Sequence, residues 1–244
     1  GQQFPKLIVT NIDGSIQSVM LPSLSAYQDN KRKVKDMMRR AVTTSSFLIF
    51  PMMAGMAIVA EPVVKILLTE KWLQAVPFLQ IFCAVYAVVP IHTANLQAIN
   101  AVGRSDIYLK IEILKKVTGL AILAISLPFG VYAIAIGQVV SGIVSTFINA
   151  YPNRKLLDYS YKEQLMDLAP AFLITAVMGG VIYPVRYLGL VSWQTLAIQI
   201  IAGILVYAGM ALILKVDAVK YLLKTMKEMV HIWEKRTAKP TNEQ

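Results

Sequence analysis

Acidic residues and cysteine are both scarce in this sequence. Its 244 residues include 14 Asp and Glu against 24 Lys and Arg, two histidines and a single cysteine. One thiol excludes an internal disulfide and any paired-cysteine metal site, and Cys83 sits inside the apolar run 78–89, where a buried inert thiol is expected. No P-loop, Gly-rich dinucleotide fingerprint or Asp-x-Asp of nucleotide-sugar enzymes occurs. A catalytic constellation is therefore not expected, and neither is a cofactor or a metal. Charge of any sign is sparse, at 16% of residues, where soluble domains carry about 25%. Missing too are an initiator Met, a basic n-region and a signal cleavage site before the first apolar segment, so the reading predicts a chain cut from a longer one.

What the sequence has is apolar length. Hydrophobic residues make up 56%, mean hydropathy is +0.57, and the formal charge of +10 is confined to short segments between apolar blocks. That arrangement suits connectors beside an anionic leaflet rather than a nucleic-acid-binding face. A hydrocarbon core about 30 Å thick takes about 20 apolar residues in a helix. About seven such segments are present: Phe4–Pro22, Val42–Leu68, Val76–Asn100, Glu112–Phe129, Val131–Tyr151, Leu168–Val185 and Val191–Ile213. The expected fold is all-α, a polytopic membrane helical bundle over residues 1–213. Pro51 and Pro90 predict kinks in the second and third spans, because each removes a donor and crowds the preceding turn. Fourth and fifth spans are joined by Pro128-Phe129-Gly130, a tight hairpin. Beyond residue 213, Val216, Val219, Leu223, Met226, Val230 and Trp233 share one helical face opposite several lysines. This predicts an amphipathic helix at 214–236 lying in the cytoplasmic interface, with a short coiled-coil contact as the alternative, then a disordered polar tail at 237–244.

Lysine and arginine set the orientation. The connectors after spans one, three and five, with the tail and the first turns of span four, hold 20 of the 24 basic residues; Lys6, Lys65, Lys71 and Arg186 are left to the other side. By the positive-inside rule the basic side is cytoplasmic, so span one enters from outside and the carboxy terminus lies inside.

Polar groups within the spans are the candidates for function. A carboxylate at mid-membrane costs about 2.5–3.5 kcal/mol, so it normally faces a bundle interior or a watery cavity. Asp13 is near the middle of span one, with Asn11 close by and Gln17 one turn further on the same face. That face either lines a hydrophilic pathway or acts as polar glue to a neighbouring helix. Asn95, Gln97 and Asn100 cluster at the inner end of span three, as contacts for a sugar-phosphate head group or as interfacial caps. Asn11, Asp13, Gln17, Asn95 and Gln97 are the substrate-pathway candidates. His92 reads more simply as a helix-to-helix hydrogen bond than as a proton relay, and Glu61 as a solvated helix-end acid.

Several local patterns occur together and in order. Pro22-Ser23-Leu24-Ser25 closes a polar span and is followed by Asp29 and a basic helix start. Glu61-Pro62 comes next, then 67–75 (LLTEKWLQA), and Asn95-Leu96-Gln97-Ala98 leads into Ala101-Val102-Gly103-Arg104. In this order they resemble the polysaccharide transporter family, which includes O-antigen flippases and teichuronic or colanic acid exporters. That family belongs to the multidrug/oligosaccharidyl-lipid/polysaccharide exporter superfamily. The resemblance covers most of Phe4–Tyr151, and the last two spans match by topology only. It implies 12–14 helices in two lobes around a central cavity, with Phe4–Pro22 as the eighth helix and a missing amino-terminal lobe supplying half of the cavity. The substrate it implies is an undecaprenyl-pyrophosphate-linked oligosaccharide, moved across a bacterial cytoplasmic membrane by alternating access, with membrane lipid and glycan polymerase machinery as partners. Glu70 departs from the family, which usually has Gly before the Lys/Arg-Trp pair. A multidrug exporter of the same superfamily is the runner-up, with Asp13 favouring cations. A glycan-modifying membrane enzyme fits less well, because every outward connector is short.

Overall fold

The computed structural model describes residues 2–214, 216 and 218, and within the first helix only the backbone at positions 12, 13, 15, 16 and 19. Among the described residues the chain is helical throughout: α1 (Gln3–Ser25), α2 (Lys31–Ile58), α3 (Ala60–Leu68), α4 (Val76–Ala87), α5 (Val89–Ala101), α6 (Ser105–Ser126), α7 (Val131–Leu156), α8 (Tyr161–Ile182) and α9 (Ser192–Ile213). Short 3-10 turns occupy Glu70–Ala75, Leu127–Phe129 and Tyr183–Tyr187. Five segments are long and apolar enough to cross a membrane: Lys31–Ile58, Glu70–Ala101, Val131–Leu156, Tyr161–Tyr187 and Ser192–Ile213. Of the seven expected, the first and fourth correspond to α1 and α6. Both have membrane-spanning length, at 23 and 22 residues. Their polar content sets them apart from the five: α1 carries Asn11, Gln17 and Ser18 in its middle, and the first half of α6 carries Asp106, Lys110, Glu112, Lys115 and Lys116.

Helix ends follow local chemistry. Asn30 caps α2 by accepting from the Lys33 N–H at 3.0 Å, so the basic cluster 31–40 forms the first turns of α2 rather than a loop. Ser160 and Glu163 form a capping box at the start of α8. Gly130, at φ +84°, lets the chain reverse from α6 into α7 where a side chain would be strained.

The second and third spans are each interrupted two or three residues ahead of a proline in the first turn of the next helix. Pro51 lies inside a continuous α2, and the span 42–68 breaks instead at Val59, so it is two helices, with Pro62 in the first turn of α3. The break between α4 and α5 falls at Val88, with Pro90 in the first turn of α5. Proline suits the first turn of a new helix, where its missing N–H costs nothing, and this shifts the interruption upstream.

α2 is the axis of the bundle. On one side it packs against α1, α4 and α5, with Leu24, Val34, Met38, Val42 and Ala98 in one fully buried core and Val9, Ile49, Met53 and Cys83 in another. On the other side it packs against α8 and α9 through Phe47, Ile174, Met178, Ile182 and Tyr207. The Tyr207 hydroxyl donates to the Phe47 carbonyl at 2.7 Å, which satisfies a buried phenol. The α6–α7 hairpin docks through α7 onto α4 and α5. Outward faces are apolar: Leu120, Ile136, Phe172 and Ile204 are each more than half exposed. Exposed aliphatic side chains around buried polar groups make this surface one for lipid, and the chain is a multi-pass membrane protein.

Candidate functional site

α1 buries apolar residues and exposes a row of polar ones, with Phe4 and Leu7 also exposed near its start. Val9, Met20 and Leu24 are buried against α2, α4 and α5, while Lys6, Thr10, Asn11, Gly14, Gln17 and Ser18 are exposed. Their three- and four-residue spacings place them on the opposite side of the helix. Thr10 donates to the Lys6 carbonyl at 2.7 Å and Asn11 to the Leu7 carbonyl at 2.9 Å, so these groups are satisfied on their own helix. Asn11 and Gln17 are thus on an exposed hydrophilic face, and the backbone of Asp13 lies between them on the same helix.

The second pair of candidates lies elsewhere. Asn95 is fully buried and faces α7 and α8: its amide donates to Gln164 Oε1 at 3.2 Å, and Asn153 Nδ2 donates to its Oδ1 at 2.8 Å. This is an interhelical clamp, in which the low-dielectric interior makes each satisfied amide valuable and each orphan costly. Gln97 is half-buried, and its Oε1 has no hydrogen-bond partner. The structure therefore brings Asn11 and Gln17 to one open face and takes Asn95 into the packing between helices.

Two charged clusters tie the ends of the bundle together. At the basic end Lys35 Nζ bonds both the Asp158 carbonyl and Glu163, at 2.9 Å for the latter, and Arg39 makes a two-pronged pair with Asp167. Tyr159, fully buried in the connector after α7, donates to Asp167 at 2.7 Å. Burial and the neighbouring Asp167 carboxylate raise the Tyr159 pKa above the ordinary phenol value, so the phenol remains a donor. The sequence reading missed this network, although a signal was present. Lys35 and Arg39 stand four apart on α2, Glu163 and Asp167 four apart on α8, and these are the only two acids of α8. At the opposite end Glu61 pairs with Lys65 and with Arg186, both at 2.9 Å, so it is a cross-linking acid rather than a free helix-end one. His92 bonds Thr146 at 2.7 Å, joining α5 to α7 as the simpler reading expects. The Lys35 contacts bring the start of α2 and the connector after α7 to the same end, in line with the charge pattern.

Residues 1–77 match the model of a family described as "Polysaccharide biosynthesis protein". The chain resembles the polysaccharide transporter family. Lipopolysaccharide biosynthesis protein WzxC of Escherichia coli (strain K12) is 27% identical over 168 residues, which are 66% of this chain and 33% of that protein. Teichuronic acid biosynthesis protein TuaB of Bacillus subtilis (strain 168) is 24% identical over 215 residues, 84% of this chain and 44% of the relative. An uncharacterized membrane protein in the cps region of Klebsiella pneumoniae is 25% identical over 177 residues, 69% of this chain and 36% of that one. Among solved structures, the lipid II flippase MurJ in an inward closed conformation superposes with a TM-score of 0.68 at 18% identity, over 89% of this chain and 47% of that one. The bundle thus shares the helical fold of that structure. The chain spans between a third and under half the length of the curated relatives it matches, which fits the expectation of one half of a two-lobed protein.

Proposed function

We propose that this chain forms one lobe of a flippase that moves a lipid-linked oligosaccharide across the bacterial cytoplasmic membrane. The observation that carries the reading is the exposed polar row of α1 (Thr10, Asn11, Gln17 and Ser18), which lies within the family-matched residues 1–77. Polar groups at membrane depth face an aqueous cavity, not lipid. The cavity would form between this face and a second lobe, consistent with relatives of about twice this length. The two lobes would rock to expose it to either side, while the polyprenyl tail stays in the bilayer. Such transport makes and breaks no covalent bond in the glycan, so the protein is a carrier and not an enzyme. A polymerase on the outer side would consume the delivered unit. The basic end, with the start of α2 and the connector after α7, is cytoplasmic by the positive-inside rule, and the carboxy terminus lies on that side.

The test uses the complete natural protein in a strain deleted for its gene. Asn11→Leu, Asp13→Asn and Gln17→Leu, each expressed at wild-type level, should reduce surface glycan and accumulate its lipid-linked precursor inside the cell. Loss of drug resistance with intact surface glycan would instead establish the multidrug-exporter reading. Recovery of a covalently altered glycan would establish the enzyme.

A further inference from the structure

The α6–α7 hairpin is close-packed at its turn and open at its basic end. Near the turn, a Cβ on Gly137 would stand 2.6 Å from Ser126 Oγ, and one on Gly119 would stand 3.6 Å from Ser141 Oγ, so the two helices touch through small residues. Toward the basic end the side chains grow larger and the helices enclose a cavity of about 660 Å³. Its walls are apolar, with Ile111, Leu114 and Phe147 prominent, and its rim carries Arg104, Lys110 and Lys155. The volume falls in the range of about 300–1,000 Å³ typical of small-ligand sites.

Among the described residues, Arg104 is the one rim cation with a carboxylate partner. The only carboxylates of α6 are already engaged, Asp106 by Arg104 at 2.8 Å and Glu112 by Lys115. α7 contains no acidic residue, and Glu163 at the start of α8 is held by Lys35. Lys110 and Lys155 are exposed, and among the described residues neither forms an ion pair. Tyr161 closes the edge of the groove, its hydroxyl donating to the Phe147 carbonyl at 2.8 Å and its ring 5.7 Å from that of Phe147. An apolar slot, with two exposed lysines and an aromatic pair at its basic end, matches one kind of occupant in shape and in charge. A bilayer lipid has its acyl chains and its phosphate in that same order.

We propose that this groove binds an anionic phospholipid of the inner leaflet, with one acyl chain along Ile111, Leu114 and Phe147 and the head-group phosphate between Lys110 and Lys155. The site is separate from the hydrophilic face of α1, and its occupancy does not depend on what the protein transports. A lipid held there would brace the α6–α7 hairpin at the end where its two helices diverge.

Native mass spectrometry of the complete purified protein tests this with three probes: phosphatidylglycerol, phosphatidylcholine and undecaprenyl pyrophosphate. Wild-type protein should retain phosphatidylglycerol in preference to phosphatidylcholine. Lys110→Gln and Lys155→Gln should each reduce that preference on the order of fivefold, the worth of one interfacial cation. A Lys71→Gln control at the opposite end should leave it unchanged. If one lysine variant does not elute as folded protein, the other carries the same comparison. An equal preference in wild-type and lysine variants overturns the proposal. So does displacement of phosphatidylglycerol by undecaprenyl pyrophosphate in wild type but not in the lysine variants, which would give the groove to the transported lipid. Failure of the glycan assay above would leave the preference for phosphatidylglycerol standing, so the two readings fail separately.

Discussion

At Asp167 three elements meet. Its carboxylate accepts from Arg39 on α2 and from the buried hydroxyl of Tyr159 in the connector before α8. Removing it strands a buried donor, which costs about 1–3 kcal/mol, whereas an exposed ion pair contributes about 0–1. Arg39 is partly exposed, so the larger share of the effect belongs to Tyr159. Asp167→Ala should therefore lower the melting temperature in detergent by several degrees. Tyr159→Phe combined with Asp167→Ala should cost less than the two changes summed. Asn95→Ala is expected to cost a similar 1–3 kcal/mol, because Asn153 and Gln164 each lose a partner in a dry interior. Differential scanning fluorimetry reads both effects. Full additivity of the Asp167 and Tyr159 changes would show that the hydroxyl does not depend on the carboxylate.

Between helices, small residues decide how closely two elements approach. Gly137 lies on α7 against Ser126 at the end of α6, where the serine hydroxyl also donates to the Ile122 carbonyl. Gly137→Ala forces a methyl into that contact and should destabilise by about 1–3 kcal/mol, as overpacked cores do. Adding Ser126→Ala removes the nearest atom and should restore most of the loss. Ile122 Cγ2, at 3.3 Å from the new methyl, sets the remainder. Thermal unfolding of the two single variants and the double variant measures the coupling. The break at Val88 belongs to the same scale. Pro90 sits in the first turn of α5, so the stretch Glu70–Ala101 contains two α-helices that meet at Val88.

For the whole molecule the testable quantity is sidedness. In a Cys83→Ser background, single cysteines at Lys33 and Asp158 should be modified by a membrane-impermeant thiol reagent from one side of the bilayer only. Cysteines at Leu68 and Leu188 should be modified only from the other. Lys35 bonded to Asp158 and Glu163 at one end, and Glu61 bonded to Arg186 at the other, make this grouping a consequence of contacts as well as of charge counts. Labelling of the Lys33 and Asp158 positions from opposite sides would break the bundle as described.

Composition and periodicity alone determined that this chain is a membrane bundle and which ends its connectors share. They also singled out α1, whose Asn11, Asp13 and Gln17 stand out because a polar residue inside an apolar block is costly wherever it points. These properties are local: hydrophobic length, cation placement and helical spacing need no knowledge of neighbours. The tertiary structure decided which polar groups are open and which are sealed in. Asn11 and Asn95 look alike in sequence, yet one lies on an exposed face and the other inside a clamp, because the difference rests with the helices packed around them. The pairing of Lys35 and Arg39 with Glu163 and Asp167 crosses more than a hundred residues, and only the parallel register of α2 and α8 brings those matched spacings together. The groove between α6 and α7 likewise exists only because small residues close the hairpin at its turn and large ones hold it open at its basic end.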